Sequence, residues 1–288
     1  MIEISAPGKL VLAGEYAVLE GHAGLAMAVG RRVFLKPSSK IHRSELWSAI
    51  KTPDADAHFA IDSSALKEGA YKLGLGSSAA SAVCMAALID SEDAYRLALQ
   101  GHKRFSAGLG SGIDVAASFY GGLIRFQQGE ATPLIPSKEA AEYLMTVFVG
   151  NSQNTRSFLK QVLDFKAAKS NEYAAIIDEL GALTNELQSF YTGTCGFDSL
   201  ASIVSKNLEL LSRLGSEAGI PIISQEQRNL QGLANEHGGF SKPSGAGGGD
   251  ISLCFIPPER QNHFKNALSA PMRALDLDYF APGLLIGP

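Results

Sequence analysis

From Gly74 the chain reads Gly-Leu-Gly-Ser-Ser-Ala-Ala and passes without interruption into Ser77 to Asp90, a small and apolar run with neither Gly nor Pro. Glycines and hydroxyls opening directly onto a helix restrict the backbone more than any other stretch of this sequence. Glycine admits left-handed turns and close approaches that a β-carbon blocks. The first amides of a helix have no partner within it, and the aligned peptide dipoles add positive potential at that end. Such an opening suits an anion, a polyphosphate above all, and a hydroxyl placed there can ligate Mg²⁺. Taken alone, the stretch is equally a Gly-rich turn with a serine N-cap. It also satisfies GxGxxA, the dinucleotide fingerprint, but that reading requires a buried apolar strand just before it. Lys67-Glu68-Gly69-Ala70-Tyr71-Lys72 makes a poor one. A GxxxxGK[ST] loop and the HRD and DFG elements of protein kinases are absent.

Composition excludes several classes of function. With 25 Lys+Arg against 29 Asp+Glu the net charge is −4, and no basic stripe is present. Nucleic acid and anionic membrane surfaces both need a dense positive field, so neither is expected as a partner. No apolar run approaches the roughly 18 residues of a membrane span, and Met1 to Gly8 lacks the basic start and apolar middle of a signal peptide. A cytoplasmic location is expected. Cys84, Cys195 and Cys254 are far apart and form no CxxC, and the 6 histidines show no HExxH, so neither a disulfide framework nor a structural metal is indicated.

The 288 residues, 45% of them hydrophobic, are enough for one large or two ordinary domains, and we expect two lobes, 1–150 and 151–288. Lys9 to Leu12, Leu25 to Val29 and Val33 to Lys36 read as strands separated by small-residue turns. Pro37 to Gly69 is polar and weakly patterned, which predicts connecting loops with at most one short strand. Helices are predicted over Ser77 to Asp90, Ser91 to Phe105 and Ser111 to Tyr120, then strands over Leu123 to Phe126 and Tyr143 to Val149. Beyond residue 150, helical spacing runs over Thr155 to Ala168, Ser170 to Tyr191, Ser199 to Leu214 and Gln225 to Glu236. A glycine cluster follows, then a strand over Ile251 to Ile256, a helix from Pro258 and a last strand near Met272. The fold class is α+β, strand-rich first and helices over a small sheet second.

Two further segments narrow the reading. Ser5-Ala6-Pro7-Gly8-Lys9 leads into Gly14-Glu15-Tyr16-Ala17-Val18-Leu19-Glu20-Gly21, and Lys242-Pro243-Ser244-Gly245-Ala246-Gly247-Gly248-Gly249-Asp250 lies near the other end. Together with Gly74 to Ala80, and in this order, they resemble the GHMP kinases, the superfamily of galactokinase, homoserine kinase, mevalonate kinase and phosphomevalonate kinase. Within it, Gly14 to Gly21, Lys72, Gly110-Ser111-Gly112-Ile113-Asp114-Val115-Ala116-Ala117 and the Lys242 segment look most like the phosphomevalonate kinase branch. Asn154-Thr155-Arg156 resembles a mevalonate kinase element as much.

The resemblance implies a two-lobed GHMP kinase-like fold and an ATP-dependent, Mg²⁺-requiring small-molecule kinase. Phosphomevalonate is the expected acceptor and mevalonate the alternative, and the protein is expected to be a monomer or homodimer. It implies Asp114 as the acid that accepts the acceptor's proton and Lys9 as the cation beside it. Gly74, Leu75, Gly76, Ser77, Ser78 and Ala79 would hold the ATP phosphates, with Ser78 on Mg²⁺. Glu15, Tyr16, His102, Ser111, Gly112, Thr155, Arg156, Lys242, Gly245, Ala246 and Gly247 would line the acceptor side. Read by themselves, Asp114 is also a helix N-terminal acid answering the dipole, Tyr16 a packed aromatic with a satisfied hydroxyl, and Lys9, Lys72, Arg156 and Lys242 ordinary surface charges. His102 stands where mevalonate kinases carry a metal-binding Glu. Imidazole is a poor ligand for hard Mg²⁺, so contact with substrate, phosphate or water is expected instead.

Overall fold

The computed structural model describes residues 3–51, 58–68, 71–150 and 155–287. In chain order the elements are β1 (Glu3–Ala13), a 3₁₀ turn (Ala17–Glu20), β2 (Gly24–Pro37), α1 (Glu45–Ile50), β3 (Phe59–Asp62), β4 (Lys67–Glu68) and β5 (Tyr71–Lys72). Next come α2 (Ser77–Ile89), α3 (Ala94–Phe105), α4 (Ile113–Tyr120), β6 (Leu123–Gln127), β7 (Glu130–Leu134), α5 (Lys138–Tyr143) and β8 (Leu144–Gly150). The chain continues through α6 (Thr155–Ala168), α7 (Ser170–Tyr191), α8 (Leu200–Ala218), α9 (Gln225–Glu236), β9 (Phe240–Pro243), β10 (Asp250–Phe255), α10 (Gln261–Ala267), β11 (Arg273–Leu275) and β12 (Leu285–Gly287).

These elements gather into two compact units that are not consecutive halves. The first holds the chain up to Leu10, then Ala26–Leu134, and the chain from Leu277 onward; the second holds Val11–Leu25 and Ile135–Asp276. The expected boundary at residue 150 therefore differs from the observed division. β8, read as the end of the first lobe, pairs with β10 and β11 in the second unit's sheet, and those partners lie far downstream.

In the first unit the sheet order is β12-β1-β2-β6-β7, with β3 pairing the far end of β2 from Phe34↔Asp62 to Pro37↔Phe59. The sequence suggested two strands broken at Gly30, whereas β2 runs through it. The Gly30 N–H donates to the Asp278 carbonyl at 2.8 Å, and a β-carbon there would meet the Asp278 side chain at 2.8 Å, so glycine makes room for the returning chain. Every residue of α2 from Ala79 to Ala87 is buried, as expected of a helix apolar on all sides. Its small side chains let α3 and α4 pack directly against it.

The second unit is built on an antiparallel sheet ordered β11-β8-β10-β9, with Ile251↔Phe148 and Cys254↔Met145 in register. Val147, Val149, Leu230, Ala234, Cys254, Ile256 and Phe264 form its core under α9 and α10. α9 starts on a capping box in which Ser224 and Gln227 satisfy each other's amides. α8 outruns its expected end at Leu214 and stops at Gly219, whose φ of 68° supplies the left-handed cap. Among the described residues no helix is long and apolar enough to cross a membrane.

Candidate functional site

The Gly74 to Ala80 loop is held by β1. The Lys9 N–H donates to the Leu75 carbonyl at 2.9 Å, and the Lys9 ammonium reaches the Gly74 carbonyl at 3.4 Å. Gly76 is the N-cap of α2 with φ 79° and ψ 35°, and no side chain caps the helix. The serine cap weighed as the ordinary explanation of this stretch is therefore not what is found. Instead the Ser77 carbonyl accepts from Ser81 Oγ at 2.8 Å, and Ser78 Oγ lies 3.2 Å from His102 Nε2. The result is a left-handed turn leading into a helix whose first amides no side chain covers, the arrangement an anion takes up. Leu75 and Ala79 are buried with their side chains in the core, so only their backbone can face a ligand.

α3 and α4 bring further expected residues to the same unit. Gly112, with φ 91°, is the N-cap of α4, and Asp114 sits half-buried in the first turn, where its Oδ1 accepts from the Val115 N–H at 3.0 Å. Ser111 Oγ accepts from the Ile113 N–H at 3.3 Å. His102 lies in the last turn of α3 beside Gly101, where α1 approaches so closely that a β-carbon would be 2.3 Å from Ile50 Cγ1. Among the described residues no group of His, Cys, Asp and Glu could by itself cage a metal. The half-exposed Ser78 hydroxyl suits Mg²⁺, which keeps most of its shell as water and phosphate oxygen and borrows few protein ligands.

In the second unit, three residues expected on the acceptor side are buried. Glu15, Tyr16 and Lys242 are 2%, 4% and 1% exposed. Lys242 Nζ donates to the Leu12 carbonyl at 3.0 Å, to the Pro243 carbonyl at 2.9 Å and to Glu15 Oε1, which uses all of an ammonium's donors. The alternative of an ordinary surface charge thus does not hold for Lys242, and Glu15 is its buried counter-ion. Asn207 Nδ2 reaches Glu15 Oε2 at 3.5 Å. The Tyr16 hydroxyl donates to the Ala246 carbonyl at 2.7 Å, so the packed-aromatic alternative holds; burial, aided by Glu15, pushes its pKa up. Gly247 lies against Ile222, 2.1 Å from a β-carbon to that carbonyl, whereas Gly245, with φ 84°, faces open space. The side chains of Thr155 and Arg156, and all of Asn154, fall outside the described residues.

Asn207 was missed by the sequence reading. It lies on α8 among Ile203, Val204, Leu208 and Leu211, all buried, and is itself 1% exposed. An Asn three and four places from apolar residues on one helix face is the signal that marks it.

No protein-family model matches the chain. It is 26% identical to a mevalonate kinase of Aeropyrum pernix over 74% of this chain and 77% of that protein. It is likewise 26% identical to a phosphomevalonate kinase of a Streptomyces species over 88% and 89%. Among solved structures, the Lin0012 protein of Listeria innocua superposes with a TM-score of 0.80 at 21% identity, covering 99% of each chain. A Streptococcus pneumoniae phosphomevalonate kinase in complex with phosphomevalonate and AMPPNP gives 0.71 at 17%, covering 96% of this chain and 100% of that one. The chain is thus similar, at 26% identity over most of its length, to curated mevalonate and phosphomevalonate kinases, and it shares the fold of solved structures of such kinases.

Proposed function

We propose that this protein transfers the γ-phosphoryl group of ATP to the phosphate of phosphomevalonate, giving diphosphomevalonate and ADP. The observation that carries the reading is the union of Lys9 with the uncapped Gly74 to Ala80 loop: a cation, a left-handed glycine and free helix amides at one place. Phosphoryl transfer asks a protein mainly for positioning and charge neutralisation, which these groups supply. The choice of acceptor rests on the Gly110 to Ala117 and Lys242 to Asp250 strings and on the match to the Streptomyces phosphomevalonate kinase.

In this reading the amides of Ser77, Ser78 and Ala79 bind the nucleotide phosphates and Lys9 neutralises charge on the transferring group. Ser78 would hold Mg²⁺, which when bound screens the phosphate oxygens. His102 orients the Ser78 hydroxyl. Asp114 Oδ2 takes the proton remaining on the acceptor phosphate as one of its oxygens attacks Pγ and the bond from Pγ to the ADP oxygen breaks. A phosphate monoester is mostly deprotonated at neutral pH, its second pKa being about 6, so little proton removal is needed. The equal match to mevalonate kinases supports a second reading with mevalonate as acceptor, in which a hydroxyl must be deprotonated and Asp114 carries more of the catalysis.

The test is ADP release from Mg-ATP with 5-phosphomevalonate and with mevalonate in parallel. Turnover on the phosphorylated acceptor alone upholds the first reading, and turnover on mevalonate alone replaces it with the second.

A further inference from the structure

The second unit contains a buried ion pair, Lys242 with Glu15, whose ammonium also donates to two backbone carbonyls, one of them at the entrance of a glycine loop. Lys242 Nζ joins Leu12 at the end of β1, Glu15 in the following turn and Pro243 at the entrance of the loop. One residue on, Ser244 Oγ accepts from the Val11 N–H at 3.0 Å and donates to the Val11 carbonyl at 2.9 Å, so it pairs with β1 as a strand would. Tyr16 then takes the Ala246 carbonyl. Its φ of 60° is unusual for a bulky side chain and persists because both flanks are held. On the far side the Gly248 N–H donates to the Ile222 carbonyl at 2.8 Å. Gly245 has open space where a side chain would project.

We infer that Lys242 and Glu15 are positioning residues that clamp the Gly14 to Tyr16 turn to the Ser244 to Gly248 loop, so that the backbone at Gly245 is presented rigidly to an anionic acceptor. This rests on the phosphoryl-transfer reading for the identity of the acceptor, and on the geometry alone for the clamp. Neither side chain touches the acceptor; they act through the loop. A buried pair is often replaceable by apolar residues without loss of stability, whereas removing one partner strands the other's charge. Stability and positioning can therefore be separated.

The experiment compares Lys242→Met, the double variant Glu15→Leu with Lys242→Met, and the milder Glu15→Asp. Thermal midpoint, both KM values and amide exchange of the peptide 243–249 are read for each. The single Lys242→Met variant is expected to melt well below the parent and the double variant to recover. In the double variant the acceptor KM still rises about 10-fold or more while the ATP KM stays within about 2-fold, because loop position and not charge count is lost. Exchange across 243–249 is faster in the same variant without any ligand. A double variant with recovered midpoint, parental acceptor KM and parental exchange overturns the inference and leaves the pair as core filling. Should the methionine variants not fold, Glu15→Asp decides, since it keeps the charge but shortens the reach: unchanged KM and exchange there also overturn it. If the parent protein turns over neither acceptor, the functional reading fails while amide exchange still tests the clamp.

Discussion

The stem of Lys9 fills the space that a β-carbon on Gly76 would need, its Cγ and Cε lying 2.9 and 3.0 Å from that position. The cation and the left-handed turn are therefore one construction. Gly76→Ala adds a left-handed penalty of about 1–2 kcal/mol and displaces Lys9 as well. The expected outcome is an ATP dissociation constant raised roughly tenfold or more, measured by nucleotide titration, with an unchanged far-ultraviolet spectrum. Parental affinity would mean that the loop does not bind the phosphates.

Asp114→Asn preserves the size of the side chain and the acceptance from Val115 but removes the charge. We expect kcat to fall with the ATP KM little changed, by about 10²–10⁴-fold if a hydroxyl is the acceptor and toward the lower end for a phosphate. Steady-state kinetics on both acceptors measures this. Full turnover in the variant would remove Asp114 from the chemistry.

Alkali supplies a separate test of packing. Burial raises the pKa of Tyr16, of Tyr95 and of Tyr173, with Glu15, Tyr120 and Glu20 respectively reinforcing it. Below the ordinary phenol value of about 10 these residues keep their protons in both folded and unfolded chains and do not affect stability. Above it the unfolded chain releases protons that the folded one retains, so stability falls as pH rises. Ultraviolet absorbance should show that part of the 8 tyrosines stays silent until the protein unfolds. Titration of all of them in the folded state would contradict the packing.

Chelation should separate a metal that serves the nucleotide from one that serves the fold. No cluster of ligating side chains is present among the described residues, so EDTA is expected to stop ADP release and to leave the thermal midpoint of the nucleotide-free protein where it was. A fall in that midpoint on chelation would reveal a structural ion.

The sequence reading succeeded where the physics is local. The spans of α6, α7 and α9 match the helical spacing residue for residue, and the loop before α2 announces itself through glycines that the backbone conformation demands. It failed where a residue's state depends on a distant partner. For Lys242 neither contact with an anionic ligand nor a surface charge anticipates its burial, because its counter-ion is Glu15, at the other end of the chain. Gly30 looked like a strand break because the Asp278 side chain that uses its vacant side arrives near the end. β7 and α1 went unseen: Glu130–Leu134 is mostly exposed and shows no apolar alternation, and Glu45–Ile50 is too short to establish a period.

The return of the C-terminal segment to the first unit sets an order of assembly. β12 pairs with β1 through Glu3↔Gly287, and Arg32 anchors the approach by donating to the carbonyls of Pro282 and Gly283 as well as to Ser5. On a ribosome the second unit's sheet is complete once Leu275 has emerged, whereas the first unit must wait, with one edge of its sheet unpaired, for the strand that follows. Nicking or trimming after Asp278 would therefore injure the unit that carries the Gly74 to Ala80 loop, and leave the later-encoded helical unit intact.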